Sequence, residues 1–268
     1  MKEDSFGNGN EVKQPQFNEN ISYIKCIYDI KDYNETQIIN FRGEKDINEE
    51  IESKVKIWNG EKAEKLIFKK KFDKLGINVI YFIIEEKLNN MNYFFYKCSS
   101  LKEINFVSFE TSQVTKMRAM FVECKELEYL DLSNFDTSKV TDMSFMFEDC
   151  CKLKEIKGIN NFNTINVQNM FAMFEGCKEL EYLDLSNFNT SHVTDIANMF
   201  NQCNKLQEIK GIDNFDTSNV TQMEFIFNQC YNLKEIKGLN NFKTFNVIKN
   251  GILVQKLQRI RIFRCIQF

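Results

Sequence analysis

A cysteine returns every 26 or 27 residues along most of this chain, at positions 98, 124, 150, 177, 203 and 230. Around them the sequence reads M-x-x-x-F-x-x-C-x-x-L-x-x-L/I, then N-F, then T-x-x-V, as in Met143 to Val167, with Ile196 and Ser108 as departures. Phe95, Phe121, Phe147, Phe174, Phe200 and Phe227 make one column. Leu101, Leu127, Leu153, Leu180, Leu206 and Leu233 make another, and a valine column runs from Val114 to Val247. One copy of so short a unit cannot bury enough apolar surface to offset its own ordering. The copies must therefore stack on their neighbours.

The repeat comes in two forms. EYLDLSNF stands at 128–135 and again at 181–188. The longer EIKGINNF, EIKGIDNF and EIKGLNNF stand at 155–162, 208–215 and 235–242. The extra residue aligns with Gly158, Gly211 and Gly238, and glycine tolerates the dihedrals of a one-residue bulge. The segment LEYLDL alternates as a half-buried strand does. In MSFMFEDC, Met143, Met146, Phe147 and Cys150 are offset by three, four and seven, which predicts one face of a short helix. The expected fold class is thus α/β: a leucine-rich-repeat-like solenoid of six repeats, each a short parallel strand plus a short helix.

The stretch LDLSNFDTSKVTDMSFMFEDC resembles the BspA-like leucine-rich repeat, a mycoplasma-type repeat of unknown function, and the resemblance covers residues 91–249. It supplies no catalytic residues. Bacterial members are often surface lipoproteins or adhesins, while protists carry large expansions. Residues 1–20 have no apolar core, so no signal peptide is expected. No apolar run is long enough to span a bilayer. The reading is a cytoplasmic member of protist type, with an adhesin role ranked last.

Ahead of the repeats, residues 1–20 read as a disordered polar tail. Residues 21–90 read as a β-rich cap over the first strand, with strands at 21–30, 36–41, 54–58 and 65–72. Asn59-Gly60 is a hairpin signal, and Ile47 to Ile57 has an alternative reading as the start of a helix. The net charge of −3 argues against nucleic acid as a partner.

Few groups here are suited to chemistry. The cysteine column has no C-x-x-C and no accompanying histidine, so it reads as buried thiols rather than a metal or redox site; Cys151 is the candidate exposed thiol. The single histidine, His192, occupies a column otherwise filled by Gln113, Lys139, Asn166 and Asn219, which is a solvated turn. No cofactor, metal or catalytic residue is expected. The Asn and Thr columns read as hydrogen-bonding ladders along the stack. The informative surface is the exposed strand face, where Glu128, Lys154 and Glu181, then Tyr129 and Tyr182, then Asp131, Lys157, Asp184 and Lys210 line up. Two readings stand for it: a self-neutralising charge ladder, and a recognition face for a protein partner with tyrosine anchors. The alternative function is a structural or array-forming protein that self-associates through an exposed edge at Leu233–Gly238.

The pattern breaks at residues 250–268, which hold three of the five arginines and no acid. A single-nucleotide shift allows that segment to encode MEFLFKNCKELEYLDVSNF, with every column in register. The tail is therefore read as a frameshifted seventh repeat.

Overall fold

The computed structural model describes residues 22–39, 45–236, 238 and 241–243. The expectations for residues 1–20 and 250–268, and that placed on Val247, lie outside the described residues.

β1 (Ser22–Ile30) alternates strictly, with Ile24, Cys26, Tyr28 and Ile30 turned inward. It is sandwiched antiparallel between β6 (Gly76–Ile84) and β7 (Leu101–Val107). On the far side of β6 lies β3 (Val55–Trp58), then β4 (Ala63–Lys65), giving the order β4-β3-β6-β1-β7. The β3–β4 hairpin closes at Asn59-Gly60, where Gly60 has φ of 105° and the Asn59 side chain accepts from the Glu61 and Lys62 amides. β2 (Glu35–Gln37) and β5 (Lys69–Lys71) form a small separate pair. α1 (Lys45–Lys54) is the start of the segment that had a helical alternative, and it buries Ile51. β6 was not among the strands expected from the sequence. β7 belongs to the first repeat, so this sheet and the repeats share one strand.

Beyond β7, the α/β reading of one strand plus one helix per repeat is wrong. Among the described residues α1 is the sole α-helix, and it precedes the repeats. The strands of the later repeats are three residues each: β8 (Tyr129–Asp131) pairs in parallel with β9 (Glu155–Lys157), and β10 (Tyr182–Asp184) with β11 (Glu208–Lys210). β9 and β10 touch without joining one sheet. After β9 and β11 the inserted residue turns the chain into 3₁₀ turns at Ile159–Asn161 and Ile212–Asn214. Among the described residues the strands of the repeats do not join into the continuous parallel sheet of a leucine-rich-repeat solenoid.

The expected helix is a run of turns, for a physical reason. The amides of Met143, Phe145, Phe147 and Asp149 donate to the carbonyls of Asn169, Phe171, Met173 and Glu175 in the next repeat, at 2.7–3.0 Å. The intervening amides of Met146, Glu148 and Cys150 donate three residues back. Half the donors that a helix needs are thus used between repeats. Phe145 and Asp149 sit at φ of 59° and 54°, outside any right-handed helix. The same two turn positions recur as Ala119 and Glu123, and as Asn198 and Gln202. Met143, Met146, Phe147 and Cys150 are all fully buried, so the spacing reports the shared face correctly while the backbone between them differs.

Stacking carries each column forward. Successive rings from Phe95 to Phe227 lie 5.4–5.7 Å apart with interplanar angles of 1–13°. Isolated parallel bridges join Asn90, Lys116, Asp142, Asn169, Asp195 and Gln222 in turn. Buried Thr137 accepts from the Asn163 amide at 2.8 Å and donates to the Asn163 carbonyl at 3.1 Å. Thr111 and Thr164 clasp their following repeats in the same way.

Candidate functional site

The stack consumes most of the groups with chemical potential. Each column thiol from Cys124 to Cys230 points at the carbonyl of a phenylalanine one repeat earlier, Cys150 at Phe121 and Cys177 at Phe147, with sulfur–oxygen distances of 3.0–3.2 Å. Burial pushes the thiols of Cys98, Cys124, Cys177 and Cys203 well above their ordinary pKa, away from the reactive thiolate. Cys151 is half-buried rather than exposed, and burial raises it too. His192 donates from Nδ1 to the Ile165 carbonyl at 2.8 Å. Asn166 and Asn219 in the same column do likewise to Ser138 and Ser191 at 2.7 Å. His192 is therefore held as another stack tie. Among the described residues no cluster of His, Cys, Asp and Glu is arranged to hold a metal. No helix among them is long and apolar enough to cross a membrane.

The strand face is different, because its side chains leave the stack. Strand registration sets Tyr129 beside Glu155 and Tyr182 beside Glu208. Leu130, Ile156, Leu183 and Ile209 anchor the same strands inward. Tyr129 is 58% exposed and Tyr182 47%, large values for rings on regular strands. A concavity of about 570 Å³ opens over β7, β8 and β9, lined by Lys102, Glu103, Glu128, Tyr129, Glu155 and Lys157 among others.

The flanking charges are spoken for. Lys154 Nζ meets Glu128 at 2.6 Å and lies 5.6 Å from the Tyr129 ring centre. Lys157 meets Asp131 at 2.7 Å and Lys210 meets Asp184 at 2.8 Å. Hydrogen bonds from Lys157 and Lys210 pull Asp131 and Asp184 down to about 2, with Ser133 and Ser186 assisting. Glu181 accepts from Gln207 at 3.2 Å. Of the nine strand-face residues singled out from the sequence, six lie on the two strand pairs and three, Glu128, Lys154 and Glu181, stand one residue before their strands. The lysines among them face partners within the chain.

Two features escaped the sequence reading. Glu103, on β7, opens the central column next to Tyr129; its repeat reads LKEINF, a poor match to the motif, and only its offset from Leu101 marks it. On another ridge Glu148, Glu175, Asn201 and Asn228 form a half-buried to buried file. Asn201 donates to Glu175 at 2.7 Å and Asn228 donates to Asn201 at 2.8 Å. Burial holds Glu148 up at about 7, with Glu175, Asp149 and Glu123 adding to the effect and Arg118 opposing it. Burial also raises Glu175, opposed by the Asn201 donor. The signal was a polar column beside the buried phenylalanines.

A family model described as "Mycoplasma protein of unknown function, DUF285" matches residues 84–181 and 152–260. The match begins at the last residue of β6 and takes in all six column cysteines. No curated protein and no solved structure matches.

Proposed function

Since the chain belongs to the family described as Mycoplasma protein of unknown function, DUF285, and inherits no activity from it, we propose from its surface that it is a non-catalytic protein-binding module whose strand face makes the contact. The observation that carries this is the pair Tyr129 and Tyr182, both exposed on registered strands, with Tyr129 lining a concavity. Tyrosine on a rigid strand offers large contact area at small entropic cost, which is why it recurs at binding hot spots. The occupied state of His192 and of the column cysteines supports the non-catalytic half of the reading. The narrower likeness of the motif to BspA-like repeats of cytoplasmic protist type belongs to the same proposal.

Affinity capture with the full chain tests it. A saturable protein partner should be lost on Tyr129→Ala plus Tyr182→Ala and kept on Tyr231→Ala, an exposed tyrosine off the strands. Capture indifferent to the paired change would sink the strand-face reading. Self-association in place of any hetero-partner would favour an array-forming role.

A further inference from the structure

The central column of the strand face runs Glu103, Tyr129, Glu155, Tyr182, Glu208, Glu235. All of these except the two tyrosines are carboxylates, all are exposed, and Glu103, Glu155 and Glu208 have no ion-pair partner among the described residues. The columns on either side behave otherwise. Their acids and bases alternate and hold one another, Lys154 with Glu128, Lys157 with Asp131 and Lys210 with Asp184. The flanks thus largely cancel, with one base in excess in the Glu128 column, while the middle carries uncompensated negative charge, with aromatic rings set between the carboxylates.

Resting on the strand-face reading above, we propose that the occupant is a basic, extended polypeptide segment lying across the strands along the stacking direction. A carboxylate beside an exposed tyrosine ring suits a guanidinium or ammonium group, which pairs with the one and stacks on the other. Lys154, poised over the Tyr129 ring, makes this contact within the chain. The spacing is selective as well. The parallel bridges that join successive repeats set them about 4.8 Å apart, so Glu103, Glu155 and Glu208, each two repeats on, recur at roughly 10 Å. A polyproline-like segment advances about 3.1 Å per residue, which brings every third side chain round at about 9 Å on the same side. The matching partner carries Arg or Lys at every third position.

Fluorescence anisotropy of the full chain with labelled peptides tests this. The probes are an extended peptide with Arg at every third residue, one of equal composition with Arg at every second residue, and the Glu counterpart of the first. The first should bind saturably, tighter than the second. It should weaken roughly tenfold on Glu103→Gln plus Glu155→Gln plus Glu208→Gln, as loss of about three exposed ion pairs implies. The Glu counterpart should not bind. These exposed, near-isosteric changes leave the buried columns intact, and an unaltered melting temperature checks that. Equal binding of the Arg and Glu peptides, no binding of either, or binding unmoved by the triple change would overturn the inference. If the peptides fail while capture of a partner still depends on Tyr129 and Tyr182, the basic-segment inference is wrong and the strand-face reading stands. If the tyrosine dependence fails too, both are wrong.

Discussion

In the N-terminal sheet each buried side chain has a partner of its own. Tyr28 packs on Phe72 at 6.3 Å and donates its hydroxyl to the Ile38 carbonyl. In the repeats the buried columns mostly reuse one residue type and one contact: Phe147 lies between Phe121 and Phe174, and Thr111, Thr137 and Thr164 each donate to a backbone carbonyl of the following repeat. The sheet is specified by long antiparallel registers, nine residue pairs between β1 and β6. The stack is specified by one short contact set used again at each step. A lesion in the sheet has one neighbourhood to disturb, whereas a lesion in the stack interrupts a column and should act mainly on its nearest neighbours.

The largest expected effect tests that locality. Phe174 is fully buried between Phe147 and Phe200. Phe174→Ala should cost about 3–5 kcal/mol. Hydrogen exchange should speed in the repeats around residue 174 while β1 and β6 keep their protection. Uniform loss across both regions would erase the distinction between them.

Two glycines at nearly the same backbone angle sharpen it. Gly158 in the stack has φ of 81°, and an added Cβ would be driven into the Ser133 backbone of the preceding repeat. Gly76 at the start of β6 has φ of 82° and open space around it. Gly158→Ala should cost about 2–4 kcal/mol, strain plus overpacking. Gly76→Ala should cost about 1–2 kcal/mol, the strain alone. Equal costs in denaturant titrations would mean that the approach of neighbouring repeats is not what fixes glycine at 158.

Thr164→Val keeps the shape but leaves the Asn189 amide and carbonyl without the threonine hydroxyl, which now meets them at 2.8 and 2.9 Å. A loss of about 2 kcal/mol is expected in the same titration. A change near zero would show that the Thr column is packing and not clasp.

The smallest effect is a pH dependence. Glu148 has a folded pKa of about 7 against an ordinary 4.5. The folded chain therefore binds more protons than the unfolded chain between those values, and stability should fall as the pH rises from 4.5 to 7. Because the group is only half-buried, solvent screening reduces the effect to about 1 kcal/mol. Glu148→Gln should flatten that limb of the stability profile. An unchanged slope would move its origin elsewhere in the chain.

What was legible in the residues was the set of columns. Phe174, Leu180, Val167 and Cys177 are all fully buried, each where the 26 or 27 period puts it. The backbone joining them was not legible, because offsets of three, four and seven fit a helix and a pair of left-handed turns equally well. Competition from the next repeat's carbonyls decides between them, and a single segment does not display that competition. At the strand face, the alternation of Glu128 with Lys154 and of Asp131 with Lys157 was visible in the columns. That the middle column is left uncompensated follows only once Lys154, Lys157 and Lys210 are seen to turn to Glu128, Asp131 and Asp184.

The stack depends most directly on the conformation of Met143 to Cys150. Backbone chemical shifts and amide–α coupling in solution report the sign of φ at each residue. Left-handed values at Phe145 and Asp149, flanked by right-handed turn residues, are the predicted result. Uninterrupted right-handed helical values from 143 to 150 would contradict it, and with it the inter-repeat hydrogen bonds on which the whole stack is argued to rest.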